Sequence, residues 1–242
     1  MRQSRIYTPQ PLISTDTIDL EGPASHYLAR VLRLSGGDPL ILFNGDGRDY
    51  SAEILAVQRH CVTVKLGVGR TIDNESPLKI TLVQAISRGE RMDYSLQKAT
   101  ELGVFCIQPI NSQRVEVRLD AKRRAKRQAH WQGVVISACE QSGRAVVPEV
   151  KPPCSLDEWL AVDNATPQLI LDPLAERKLS SFPVKAGDVS ILIGPEGGFT
   201  RKELDGATTR GAEAVSLGPL IVRTETAGPV AVALLQAGAG FL

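Results

Sequence analysis

The chain has 242 residues, with 28 Lys and Arg against 27 Asp and Glu, a formal net charge of +1 with histidine neutral. Hydrophobic residues make up 43% and charged residues 23%, which excludes collagen-like, disulfide-scaffold and wholly disordered chains. Residues 1–150 carry 20 Lys and Arg against 16 Asp and Glu, and this basic front end points toward a polyanionic partner.

The first seventy or so residues read as a small β domain. Segments 39–43, 51–57 and 61–68 are rich in Ile, Leu and Val and partly alternate, as strands do. Asn44-Gly45-Asp46-Gly47 is a turn between the first two. The stretch 26–34 (HYLARVLRL) places Leu28, Val31, Leu32 and Leu34 at roughly helical spacing, with Arg30 and Arg33 close together. The polar, turn-rich segment 69–77 marks a boundary, which divides the chain into domains 1–72 and 73–242.

Beyond it strands and helices alternate. Strands are expected at 79–86, 104–110, 168–171, 189–193 and 213–217. A helix over 90–102 stops at Gly103. Asp120 is placed to cap a long helix to about Ser142, ended by Gly143. Thr200 with Glu203 forms a T-x-x-E capping box, and the uncharged tail from about Thr226 is a last helix. Such alternation predicts an α/β fold with a mostly parallel sheet covered on both faces.

Cys61, Cys106, Cys139 and Cys154 lie far apart without a C-x-x-C pair, and His26, His60 and His130 do not cluster. No metal site is expected, and the thiols read as buried groups in a reducing compartment. Residues 1–10 lack the apolar core of a secretory signal. The uncharged tail is short and Ala/Gly-rich for a membrane span. A cytoplasmic location is the expectation.

Two strands run into glycine-proline bends, Ile193-Gly194-Pro195-Glu196-Gly197-Gly198-Phe199 and Leu217-Gly218-Pro219-Leu220-Ile221-Val222-Arg223-Thr224-Glu225. In open α/β sheets ligands bind beyond the carboxyl ends of strands. Glycine lets the backbone approach a flat ligand, and proline stiffens the turn. Gly194, Pro195, Gly197, Gly218 and Thr224 are therefore candidate contacts for a nucleoside. Neither G-x-x-x-x-G-K-[ST] nor G-x-G-x-x-G occurs, which argues against a phosphate-cradling enzyme.

These motifs carry a family resemblance. IGPEGGF (193–199) with Glu203, and LGPLIVRTETA (217–227), resemble the signatures of RsmE-type methyltransferases of the SPOUT superfamily. RIYTP (5–9), HYLARVLRL (26–34), QAISRGERMDYSLQKATELGV (84–104) and ACEQSGR (138–144) extend the match through most of the chain. The resemblance implies methylation of N3 of one uridine in 16S ribosomal RNA of the small subunit, with S-adenosylmethionine as cofactor. It also implies a PUA-like β barrel that helps bind RNA, a trefoil-knotted α/β domain and a homodimer. By the family pattern Leu171 ends the first cofactor-loop strand, and Leu217, Leu220 and Ile221 flank the adenine. Leu220 stands where the family often has arginine, leaving Arg223 as the only arginine of that segment.

A sulfonium methyl is already activated, so the enzyme must mainly align the groups. The uridine imide is a poor nucleophile until deprotonated, and an ordinary carboxylate is a weak base for it. A fixed cation beside the base carbonyls would favour the anion instead. Arg223 is the candidate for that role, the alternative being a salt bridge to Glu225 or Glu196. Glu196 and Glu225 are candidates for accepting a proton or holding the cofactor's amino group, or each caps the helix that follows.

Seven cations between 114 and 127 (Arg114, Arg118, Lys122, Arg123, Arg124, Lys126, Arg127) face only Glu116 and Asp120. They form either a solvated face or a phosphate-contacting patch, with Ala125, Ala129, Val135 and Ala138 turned inward. Arg88 joins the RNA candidates, and Arg2, Arg5, Tyr7, His26, Arg30 and Arg33 form a second surface. A non-catalytic RNA-binding or ribosome-assembly protein, and a SPOUT enzyme with another RNA target, are the competing readings.

Overall fold

The computed structural model describes residues 3–115, 121–162, 166–184 and 186–242. Arg2, Glu116, Arg118 and the expected cap Asp120 lie outside the described residues. The chain forms two compact units: residues 1–75 with 139–147, and residues 76–138 with 148–242.

The first unit holds β1 (Ser4–Tyr7), β2 (Thr17–Glu21), α1 (Gly22–His26), β3 (Pro39–Phe43), β4 (Arg48–Val57) and β5 (Cys61–Thr71). They make one mixed sheet in the order β1-β3-β4-β5-β2, with β1 parallel to β3 and the other pairs antiparallel. No β1–β2 ladder closes it into a barrel among the described residues. Along β4, Tyr50, Ala52 and Ile54 are buried while Ser51, Glu53 and Leu55 face outward, the period-2 pattern of a half-buried strand. They pack with Leu28, Leu40, Leu42, Val62, Val64 and Leu66.

Two expectations shift here. The boundary segment is strand as far as Thr71, because Arg48 and Asp49 pair with Thr71 and Arg70. The helix expected over 26–34 begins earlier, as α1, and runs on as a π-helical turn over Tyr27–Val31. It stops there: Arg33 adopts a left-handed φ of 55°, and Val31 is exposed rather than inward.

Residues 139–147 complete this unit. Arg5 donates to both carboxylate oxygens of Asp49 and to the Cys139 carbonyl (2.8 Å), beneath a guanidinium–ring contact of 4.4 Å to Phe43. The Tyr7 amide donates to Glu140 (3.0 Å), and Arg144 pairs with Glu75 (2.5 Å). Of the four thiols only Cys139 is fully buried, and burial pushes it up to about 12.

The second unit holds β6 (Leu78–Ala85), α2 (Glu90–Glu101), β7 (Cys106–Asn111), most of α3 (Ala121–Ser142), β8 (Glu149–Val150), β9 (Cys154–Ser155), α4 (Leu156–Ala161), β10 (Gln168–Leu171), β11 (Gly187–Ile193), α5 (Arg201–Thr209), β12 (Glu213–Val215) and α6 (Thr224–Gly238). The sheet order is β12-β10-β11-β6-β7-β8, with β9 also on β7, and every ladder is parallel. Successive residues of β6 serve opposite faces. Val83 and Ala85 join Ile170, Leu192, Leu156 and Ala207 in one core cluster. Leu82 and Gln84 face α6, where a β-carbon at Gly228 would lie 2.8 Å from Gln84 Oε1. Glycine there is what lets the helix reach the sheet.

On α3 the buried stripe is Trp131, Val135, Ala138 and Cys139. Ala125 and Ala129, expected inward, are exposed, because the apolar spacing starts only at Trp131. No helix among the described residues is long and apolar enough to cross a membrane.

Candidate active site

A cleft of about 700 Å³ opens beyond the carboxyl ends of β10 and β11 and at the start of α6, within the usual size of a small-molecule site. Both glycine bends contribute. A β-carbon at Gly194 would come within 3.0 Å of the Phe199 amide nitrogen and 3.2 Å of the Gly198 carbonyl carbon. Only glycine allows the 194–199 loop to fold back on itself so tightly.

That loop is tied down on two sides. Toward α6, Gln84 Nε2 donates to Thr224 Oγ1 (3.1 Å), and Thr224 Oγ1 donates to the Gly194 carbonyl (2.6 Å). Ser95 Oγ of α2 donates to Gln84 Oε1 (3.1 Å). All three side chains are buried, and a satisfied buried network of this kind fixes geometry. Toward β7, the Gln113 amide donates to Glu203 Oε1 (2.7 Å) and Arg114 Nη1 donates to the Gly197 carbonyl (2.6 Å). Thr200 and Glu203 form the expected reciprocal capping box of α5.

Four of the cleft's charged groups meet near the starts of α2 and α6. Glu196 does not cap the helix that follows it. Its Oε1 lies at the start of α2, accepting from Arg91 Nη1 (3.1 Å) and the Arg88 amide (3.4 Å). Glu225, in the first turn of α6, has a side chain only 15% exposed, with Oε1 3.9 Å from both Arg91 Nε and Arg223 Nη1. Its Oε2 is buried without a hydrogen-bond partner among the described residues. Arg223 is the N-cap residue of α6 and its side chain is 79% exposed on the cleft wall. Of the two salt bridges that were the alternative for Arg223, the one to Glu225 exists at that long separation, while Glu196 is engaged by Arg91.

Of the residues expected at the cofactor, Leu171, Gly194, Pro195, Gly197, Ile221 and Thr224 line this cleft together with Glu196, Arg223 and Glu225. Leu217, Gly218 and Leu220 do not line it; β12 ends at Val215, and the Leu220 side chain is exposed to solvent. Sequence reasoning missed Arg91, Asp172, Phe199 and Leu204, which also line it. Arg91 carried a usable signal. A cation in the first turn of a helix opposes the helix dipole, so an outside anion was to be expected.

The RNA candidates divide. Arg88, Arg123, Arg124 and Arg127 are exposed, as are His26, Arg30 and Arg33 of the first unit. Arg5, expected at a surface, is instead an internal tie with a side chain 6% exposed, because its donors are spent on Asp49 and backbone carbonyls. Tyr7 is half-buried, its ring edge-on to Phe43 at 5.6 Å.

A model described as the RNA methyltransferase domain matches residues 74–236, and one described as the RNA methyltransferase PUA domain matches residues 20–67. The ribosomal RNA small subunit methyltransferase E of Buchnera aphidicola is 35% identical over 237 residues, covering 97% of this chain and 96% of its own. The chain belongs to the ribosomal RNA small subunit methyltransferase E family. A further member, from Bacillus subtilis, is 29% identical over 231 residues, covering 91% of this chain and 90% of its own. The crystal structure of the Neisseria gonorrhoeae member, bound to S-adenosylmethionine, is 40% identical with a TM-score of 0.90, covering 98% of each chain. A Legionella pneumophila structure with the same bound cofactor is 39% identical, with a TM-score of 0.96 and 99% of each chain covered. The family's SPOUT-type α/β fold, preceded by a PUA-type sheet, is the architecture described above.

Proposed function

We propose that this chain transfers the methyl group of S-adenosylmethionine to N3 of a uridine in 16S ribosomal RNA of the small subunit. The reading rests above all on one observation: the two glycine bends and the first turn of α6 enclose a single cleft, and the relatives solved with S-adenosylmethionine match this chain over 98% or more of its length.

The cleft's residues fit that cofactor. Leu171, Phe199, Leu204 and Ile221 offer apolar surface for a flat base, the close-turning 194–199 backbone offers peptide groups, and Glu225 Oε2 is a buried acceptor awaiting a donor. Bound S-adenosylmethionine supplies an activated methyl group on sulfur. The chain's own task is then alignment and charge. Arg223, exposed on the wall, stabilises the negative charge that develops on the uracil carbonyls as N3 loses its proton. Glu225 holds the amino end of the cofactor or takes that proton. Glu196, engaged by α2, anchors its loop. Apolar walls keep water from competing as an acceptor of the methyl group.

The RNA contacts are assigned to the exposed cations of α3, to Arg88, and to His26, Arg30 and Arg33. The enzyme works in the cytoplasm as a homodimer. The decisive experiment gives the purified protein labelled S-adenosylmethionine and small ribosomal subunits or their naked RNA, then maps the modified base. Label at N3 of one uridine is expected. No transfer, with RNA still bound, would favour a non-catalytic assembly factor, and label at another atom would reassign the target.

A further inference from the structure

We infer that Arg91 is a positioning residue for methyl transfer: by bonding Glu196 and sharing the charge of Glu225 it keeps the Arg223 guanidinium available to the RNA base. This rests on the methyl-transfer reading of the cleft, and it goes beyond that reading by giving a role to a residue at the start of a different helix.

Two guanidinium groups and two carboxylates meet here. Arg91 reaches both carboxylates, donating from Nη1 to Glu196 Oε1 at 3.1 Å and placing Nε 3.9 Å from Glu225 Oε1. Among the described residues Arg223 pairs with Glu225 Oε1, also at 3.9 Å. That oxygen therefore lies between two cations at equal distance. Neither separation is a hydrogen bond, so the carboxylate is shared through its field and is not committed to either arginine.

The two arginines differ in exposure. Arg91 is half-exposed at 47% and Arg223 is the more open. Glu225 is largely buried, and its Oε2 has no partner. A buried carboxylate with an unsatisfied oxygen draws in whatever cation can reach it. With Arg91 present, its charge is balanced from the α2 side. Without Arg91, Arg223 is the cation left beside it. A shift of about 1 Å would close the 3.9 Å gap to a bidentate pair of the kind arginine favours. Arg223 would then be turned inward, away from the base it must polarise.

The proposal makes a signature that general loosening of the cleft does not. Arg91→Ala should lower single-turnover methylation of small-subunit RNA at least tenfold, while calorimetry gives a cofactor Kd within about threefold of the parent protein. Arg91→Lys, which keeps the charge but not the two-armed reach, should recover part of the rate. Glu225→Gln is itself expected to slow the reaction. In that background, however, Arg91→Ala should cost far less, because the carboxylate beside Arg223 no longer carries a charge to capture it. In an Arg223→Ala background it should cost almost nothing.

Parent-level turnover in Arg91→Ala would overturn the inference. So would an equal loss in the native and Glu225→Gln backgrounds, or a loss that appears wholly as weakened cofactor binding. If Arg91→Ala does not fold, Arg91→Gln and Arg91→Lys are read in the same backgrounds, and the same comparison decides. If the parent protein itself transfers no methyl group, the functional reading fails before this comparison begins. A parent that methylates normally, with an indifferent Arg91→Ala, fails the inference alone.

Discussion

Arg223 and Glu140 are the two residues whose surroundings make the sharpest single-site statements. Arg223 stands on the cleft wall, its partner among the described residues the distant Glu225. Its removal should leave cofactor binding measurable by calorimetry and reduce turnover by about 10² to 10³, the usual cost of losing one donor aimed at developing negative charge. Glu140 is different in kind. Burial raises its carboxyl above the ordinary carboxylate range, against the Tyr7 amide bond and the nearby Arg5 charge, which both act to lower it. A raised carboxyl means the folded state holds its proton to higher pH than the unfolded chain does. The resulting cost to stability is absent below the unfolded pKa, grows as pH rises through the folded one, and is complete above it. Glu140→Gln keeps an oxygen for the Tyr7 amide. It should therefore raise the melting temperature at pH 7, with the gain shrinking toward pH 4; a gain that grows on acidification would show the carboxylate to be net stabilising. Neither site needed a structure to be noticed as a charged residue. What the sequence could not supply was the neighbour across space: Arg5, expected to meet RNA, turned out to face Asp49.

Among the elements, α5 tests how local signals build a site. Thr200 accepts from the Glu203 amide while Glu203 Oε2 accepts from the Thr200 amide. The same Glu203 carries the Gln113 amide on its other oxygen. Thr200→Ala should cost about 1 kcal/mol in urea unfolding, the ordinary price of a lost N-cap. Because the box also braces the 194–200 loop, cofactor affinity should fall with it; an unchanged affinity would show the loop to be held from α6 alone. The capping box was legible because it is encoded within four residues. So were β10 at Gln168–Leu171 and the helix starting at Glu90, where apolar spacing and a stop at Gly103 coincide. The short α4, with its own Ser155–Glu158 box, is under two helical turns, and the edge strands β1 and β2 hold only two apolar residues each where β10 has three in a row, so none of these was legible. The run of α3 before Trp131 misled for a physical reason: alanine is as good a helix former outside as inside, so Ala125 and Ala129 said nothing about direction.

The molecule as a whole has a chain path that no local pattern carries. Periodicity identifies strands but not threading, so the expectation of a knotted route rests on the family resemblance alone. The assignment of residues 139–147 to the first unit was likewise invisible, because those residues contribute through single long-range bonds to Arg5, Tyr7 and Glu75. A fragment of residues 1–75 should accordingly unfold at much lower urea than the same unit in the full chain, and joining residues 139–147 to it through a flexible linker should restore much of the loss. Equal stability without them would make that segment a passenger. The basic face of α3 makes a prediction at the same scale. Replacing Arg123, Arg124 and Arg127 by glutamine should reduce the salt slope of RNA binding by up to about 2, at roughly 0.7 per lost phosphate contact on single strands, and an unchanged slope would place the RNA elsewhere.

The late-arriving segment also bears on how the protein is made. Domains ordinarily fold as they leave the ribosome, the N-terminal one first. Here the leading sheet waits for residues translated after β6, α2, β7 and most of α3 have already emerged. Nascent chains stalled before residue 139 should therefore display an unfinished first half to chaperones and proteases, and those released past residue 147 should not.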